Sequence, residues 1–287
     1  MKIILIGVVL LAQLTGMVCG AGVPPRTIVT TVYPLRLALL NIAGGVDGVS
    51  VVPLADSVTG CLHDYQLTTR DMATLSTADL LVVNGAGMES FLDAAILRRP
   101  GLRVINASEG IELLVVHGDT NAHVWVSPAR YIRQVKTITE GLAQWDSGHA
   151  DAYRANAARY IDRLESLKAK LDLQMSGITK RDIITFHEAF PYFADDFKLK
   201  VVAVIEREPG SEPSASEMAS LIRLIRGSGV KALFVEPQYP AKVAAAIERE
   251  TGAGIYTLDP VVSGPVSTNA YIDIMERNLA ELVRALR

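Results

Sequence analysis

Five histidines, His63, His117, His123, His149 and His187, are the side chains best suited to chemistry at neutral pH. Imidazole changes charge in that range, and its neutral form is the commonest metal ligand. Local context separates the five. His63 lies in Leu62-His63-Asp64-Tyr65, in the loop after a strand-like run. His123 lies in Asn121-Ala122-His123-Val124-Trp125, just ahead of a Ser127-Pro128 helix start. His187 follows Ile183-Ile184-Thr185-Phe186 at the carboxyl end of another such run, and Asp259 ends Ile255-Tyr256-Thr257-Leu258 in the same way. His149 sits in an expected turn and is assigned to solvent, and His117 to exposed surface.

In open α/β sheets, ligands gather in the crevice beyond the carboxyl ends of the strands. His63, His123, His187 and Asp259 would then converge on one cleft. Three imidazoles and a carboxylate suit a borderline ion such as Zn²⁺ in a roughly tetrahedral shell, whereas more carboxylates would lean toward Mn²⁺. Consecutive members lie 60, 64 and 72 residues apart, too wide for a local motif, so the fold has to assemble the site.

Two other patterns fail on inspection. His187-Glu188-Ala189-Phe190-Pro191 begins like the metalloprotease helix signature but places Pro191 where the second histidine must stand, so one helical turn cannot supply both ligands. Gly85-Ala86-Gly87-Met88-Glu89 follows a strand but lacks the third glycine of a dinucleotide loop, and reads as a tight strand-to-helix turn. No catalytic residue is assigned.

The elements that must position these groups recur with one rhythm. Apolar runs at Thr27–Val32, Val49–Leu54, Leu80–Asn84 and Arg103–Asn106 alternate with helical periodicity in the first half. Asp182–Phe186, Lys200–Ile205, Lys231–Val235 and Gly254–Leu258 repeat the pattern in the second. Near-continuous apolar strands alternating with helices predict two α/β lobes with mostly parallel four-stranded sheets. Between the halves, Tyr153, Ala157, Tyr160, Leu164, Leu167 and Leu171 form one stripe at helical spacing. That stripe predicts a long helix from about His149 to Met175, with Gly177 as its stop. The expected division is therefore a lobe over 21–147, a stiff linking helix over 148–176 and a second lobe over 177–287.

Residues 1–20 read as a signal peptide. Met1-Lys2 gives a positive start, Ile3 to Ala12 a short apolar core, and Gly16 to Gly20 a small-residue exit. The stretch is too short for a comfortable membrane span. Bulky Val18 makes Cys19 a poor lipid-attachment site, so the mature chain is expected to be soluble and exported, in the periplasm or at the outer face of the cytoplasmic membrane. If Cys19 leaves with the leader, Cys61 stands alone and no internal disulfide forms. The 28 Lys and Arg against 31 Asp and Glu leave a net charge of −3, without the basic excess that nucleic-acid binding demands.

Several segments resemble a known family in order along the chain: Leu62-His63-Asp64-Tyr65-Gln66-Leu67, Ala78 to Gly85 with Met88-Glu89-Ser90-Phe91, and His123-Val124-Trp125-Val126-Ser127-Pro128. Phe186-His187-Glu188-Ala189-Phe190 with Tyr192-Phe193, Phe234-Val235-Glu236-Pro237-Gln238 and Thr257-Leu258-Asp259-Pro260 continue it. Together they are similar to the zinc and manganese solute-binding proteins of ABC transporters, the TroA-like superfamily. The resemblance implies two α/β lobes bridged by a backbone helix with the metal between them, and a monomer that delivers its ion to a membrane permease. It carries ligand roles onto His63, His123 and His187, with Asp259 or a water completing the shell, and gives Glu236 the task of orienting a ligand histidine. A histidine at 187 resembles the zinc branch, since manganese members usually present Glu there. Zn²⁺ is therefore the expected cargo, with a Mn²⁺-binding member of the family as the alternative, and a metal-dependent adhesin or a zinc hydrolase behind it. The sequence departs from the family at Leu62, where a proline is common, at Asn121-Ala122, where Asp-Pro is common, and in Val116–Thr120, which replaces a His- and acid-rich loop.

Overall fold

The computed structural model describes residues 25–55, 65–205, 214–238 and 241–287. Both the expected leader and His63 lie outside those residues. The first lobe runs β1 (Arg26–Thr30), α1 (Tyr33–Ile42), β2 (Val49–Pro53), α2 (Thr69–Ser76), β3 (Leu80–Val83), α3 (Asp93–Leu97) and β4 (Arg103–Asn106). A small antiparallel hairpin, β5 (Val115–Val116) and β6 (Asp119–Thr120), follows. Then come two long helices, α4 (Pro128–Trp145) and α5 (Ala150–Ser176). The second lobe runs β7 (Asp182–Thr185), α6 (Pro191–Phe197), β8 (Lys200–Val204), α7 (Ala215–Ser228), β9 (Ala232–Val235), α8 (Ala241–Thr251), β10 (Gly254–Thr257) and α9 (Ala270–Leu286).

Each lobe carries a parallel four-stranded sheet, in the order β2-β1-β3-β4 in the first and β10-β9-β7-β8 in the second. The strand alternation explains why those runs are apolar throughout. Ile28, Leu80 and Val82 face a core shared with α1, α4, α5 and α9, whereas Val29, Leu81 and Val83 face a second cluster with Leu54, Leu75 and Leu92. In the second lobe Ile183 and Phe234 join the shared core, and Ile184 and Leu233 pack outward with Ile225 and Ile247. A sheet covered on both faces leaves no polar side to its strands.

Helix α5 lies along both lobes, touching α1 in the first and α9 in the second. All six members of its predicted stripe are buried. Each buried Leu there contributes roughly 1.5–3 kcal/mol relative to exposure, so packing holds this helix in place. Ser127 starts α4 by accepting a hydrogen bond from the Arg130 amide at 3.1 Å, with Pro128 in the first turn. Helix α4 ends at Trp145, and a short 3₁₀ turn over Ser147–His149 leads into α5. Among the described residues no helix is long and apolar enough to cross a membrane.

Candidate metal centre

In both sheets the chain leaves the first strand to one side and returns on the other. Strand order therefore reverses between β1 and β3 in the first lobe and between β7 and β9 in the second. Such switch points open a crevice at the carboxyl ends of the strands.

In the second lobe, His187 and Glu236 stand just beyond these two neighbouring strands, which the Phe186 amide ties together by donating to the Phe234 carbonyl at 2.9 Å. Both side chains are buried, and Glu236 Oε1 lies 3.4 Å from His187 Nδ1. Gln238 Nε2 donates to the other carboxylate oxygen at 2.7 Å and fixes its plane. A carboxylate facing Nδ1 favours the proton there and leaves the lone pair on Nε2, as in carboxylate-oriented metal ligands.

The switch point of the first lobe holds a buried polar network. Glu89 Oε1 accepts from the Thr31 hydroxyl at 2.6 Å and the Asn84 amide at 2.7 Å, and Glu89 Oε2 accepts from the Gly85 amide at 3.0 Å. Burial raises the Glu89 carboxyl above its ordinary range, and these donors oppose the rise. Gly85 needs its positive φ here, and a Cβ would run into the Asn106 side chain. Asn84 Nδ2 donates to the Ala122 carbonyl at 2.9 Å, and Gln134 supports Asn84 Oδ1 at 2.8 Å. This chain fixes the peptide immediately before His123.

The two histidines meet. Their ring centroids are 4.9 Å apart at 82°, and both side chains are almost fully buried. Trp125 lies against His123 at 5.3 Å and donates through Nε1 to the Pro260 carbonyl at 2.7 Å, binding the first lobe to the loop that carries Asp259. Asp259 is anchored at its own backbone by Asn278, which accepts from its amide and donates to its carbonyl, each at 2.8 Å. Asp259 Oδ1 accepts from the Val261 amide at 2.8 Å. Burial pushes the Asp259 carboxyl up, against the Val261 amide and the Arg277 charge. Val261 holds φ near 59°, an unusual conformation for a β-branched residue, in this same turn. Among the described residues, no three His, Cys, Asp or Glu side chains form a group that could hold a metal ion. His123 and His187 are thus brought together as a pair, with Asp259 in the adjoining loop.

The remaining described histidines lie where expected, at the surface, but each meets a carboxylate. His149 is only part exposed, because Nδ1 sits 2.9 Å from Asp146 Oδ2, which also accepts from Tyr153. His117 is more than half exposed on the β5–β6 hairpin, yet its Nε2 lies 3.2 Å from Glu188.

Sequence reasoning missed the residues that lock the lobes around the pair. Tyr192 accepts from the Leu114 amide at 3.1 Å and donates to the Asn121 carbonyl at 2.8 Å, pinning the hairpin to the second lobe. Arg130, at the start of α4, binds Asp196 at 2.7 Å and Asp195 at 2.6 Å on α6, and Ser127 also donates to Asp196. Tyr271 donates to the Trp125 carbonyl at 2.8 Å and stacks on Tyr131 at 3.9 Å. The only signals in the sequence were the Ser127-Pro128 cap and the Tyr192-Phe193 pair, and neither names its partner.

The family model for zinc-uptake complex component A, periplasmic, matches residues 28–285. The high-affinity zinc uptake system protein ZnuA of Bacillus subtilis is 30% identical over 280 residues, covering 90% of this chain and 87% of that protein. The solute-binding protein FpvC of Pseudomonas aeruginosa, solved in complex with Mn²⁺, superposes with a TM-score of 0.82 at 33% identity, over 91% of this chain and 98% of that one. Zn(II)-bound AdcA of Streptococcus pneumoniae gives a TM-score of 0.80 at 28% identity over 91% of this chain, which spans 58% of the longer AdcA chain.

Proposed function

The chain belongs to the family of periplasmic zinc-uptake components A, and from that premise we propose that it captures one Zn²⁺ ion between its lobes and hands it to an ABC transporter permease. The observation that carries this reading is the edge-to-face His123–His187 pair at the mouths of both sheets, with Glu236 behind His187. Two imidazoles presented by separate lobes are a donor set for a borderline divalent ion. His63 and Asp259 complete the proposed ligand set, a water standing in for Asp259 if its carboxylate stays with Val261.

The same reading treats 1–20 as a cleaved leader, 21–147 and 177–287 as the lobes, and 148–176 as the stiff connector. The chain then acts as a monomer outside the cytoplasmic membrane, carrying cargo without transforming it. Because α5 and the Arg130, Trp125 and Tyr192 ties couple the described lobes, capture would proceed with small rearrangements around the ligands, not wide hinge opening.

A second reading takes Mn²⁺ as cargo, favoured by the manganese-bound relative. His187 weighs against it, since a harder ion prefers carboxylate oxygen. Competition titration of the metal-free protein with Zn²⁺ and Mn²⁺ separates the two. One equivalent of Zn²⁺ bound in preference to Mn²⁺ is expected, with slowed growth of a deletion strain under zinc starvation. Preference for Mn²⁺ selects the second reading, and failure to bind either ion overturns both.

A further inference from the structure

One side chain touches both histidine-bearing loops. Asn121 Oδ1 accepts from the His123 amide at 3.0 Å and faces His123 Nδ1 at 3.3 Å. Its Nδ2 donates across the seam to the Glu188 carbonyl, next to His187, at 2.8 Å. The Asn121 backbone is itself fixed from two sides, the amide donating to the Leu114 carbonyl at 2.9 Å and the carbonyl accepting from Tyr192 at 2.8 Å. The residue is buried, so water does not compete freely for these bonds.

We propose that Asn121 is the positioning residue of the metal centre, setting the His123 tautomer and the separation of the His123 and His187 loops. The proposal rests on the metal-capture reading only for its consequence, since the geometry that carries it is intrinsic to the folded chain.

The chemistry of the amide group is what the position requires. An amide presents an acceptor and a donor a fixed distance apart. The acceptor holds the proton on His123 Nδ1 and leaves the Nε2 lone pair for a ligand. The donor meets a backbone carbonyl of the opposite lobe, an acceptor a carboxylate could not satisfy. The two imidazoles are consequently supported unequally: His187 faces a carboxylate, whereas His123 faces a neutral amide.

Two variants and two readouts test this. Asn121→Ala removes both functions, while Asn121→Asp keeps the acceptor facing His123 and loses the donor to Glu188. In the metal-free protein, long-range ¹⁵N–¹H spectra at a pH where imidazole is neutral should show His123 as the Nδ1–H tautomer. That preference should vanish in Asn121→Ala and return in Asn121→Asp. Zinc affinity should fall by roughly ten- to a hundredfold in Asn121→Ala, the usual effect of losing a supporting partner, with partial recovery in Asn121→Asp. The visible spectrum of bound Co²⁺ should shift in the alanine variant. An Nε2–H tautomer in the parent protein overturns the proposal, as does parental zinc affinity and Co²⁺ spectrum in Asn121→Ala. Should the parent protein bind no zinc, the function reading fails, and the tautomer measurement still decides the role of Asn121. If Asn121→Ala does not fold, the parent tautomer and the zinc affinity of Asn121→Asp decide: a loss of affinity is expected from the missing bond to Glu188, and parental affinity overturns the proposal.

Discussion

Replacing Arg130 with Ala should loosen the seam between the lobes, and the structure sets the size of the effect. Asp195 is more than half exposed, so its ion pair is worth about 0.2–1 kcal/mol. Arg130 and Asp196 are each only 16% exposed. Stranding a fully buried charge costs ~3–5 kcal/mol, and the Ser127 hydroxyl that stays on Asp196 reduces this to roughly 2–3 kcal/mol. Loss of the guanidinium over the Tyr192 ring adds about 0.5–1 kcal/mol. The sum, about 3–5 kcal/mol, corresponds to a fall in Tm of roughly 10 °C at pH 7 for a chain of this size. Its pH dependence has a definite sign. Burial holds the Asp196 carboxyl above the ordinary carboxylate range, against Ser127 and Arg130. The folded chain therefore binds that proton more tightly than the unfolded one. Stability from this group is complete below the unfolded carboxylate value and is lost as pH rises through the raised folded value. Without Arg130 the folded value climbs further, so the deficit should narrow as pH falls from neutral toward the unfolded carboxylate value. Thermal melts of both proteins across that range test it. A Tm within about 1 °C of the parent at pH 7, or a deficit that widens on acidification, would refute the reasoning.

Glu236→Gln should keep the fold and weaken zinc binding by about ten- to a hundredfold, because an amide supports His187 less than a carboxylate does; competition with a chromophoric chelator reads this. His123→Ala and His187→Ala should abolish tight binding in the same assay, whereas His149→Ala should leave it at the parental level, since His149 serves Asp146. Trp125→Phe should cost about 1 kcal/mol in urea unfolding through the lost bond to Pro260, and should lower metal affinity by releasing the Asp259 loop. Asp146 is held below the ordinary carboxylate range: burial opposes this, but His149, Tyr153 and Arg26 outweigh it. Its stabilisation is present above the unfolded carboxylate value and disappears as pH falls through the lowered folded one. Asp146→Asn should therefore be less stable by ~1–2 kcal/mol at pH 6, with the gap closing in strong acid.

Much of the fold was legible because each sheet is covered on both faces. Every residue of Leu80–Val83 and all but the first of Asp182–Thr185 are buried, and apolar runs marked all eight parallel strands to within two residues. The α5 stripe was equally plain, since Tyr153 to Leu171 repeat at helical spacing. The β5–β6 hairpin was not, because strands of two residues leave no period to read. The pairing of His123 with His187 followed from strand ends and family resemblance alone. Asn121, Arg130 and Tyr192 escaped because their partners across the lobes lie more than sixty residues away, and nothing local distinguishes a polar residue that spans two lobes from one facing water. The partner of His149 was hidden for a related reason. A turn predicts exposure, but Asp146 at its start collects the imidazole, Tyr153 and Arg26 into one cluster.

Diffraction from crystals of the zinc-loaded protein, recorded on both sides of the zinc absorption edge, tests the proposed capture site most directly. A single anomalous peak bonded to Nε2 of both His123 and His187 is expected, with Glu236 still facing Nδ1 of His187. A peak bonded to neither histidine, or crystals soaked in zinc that show no peak between the lobes, would contradict it.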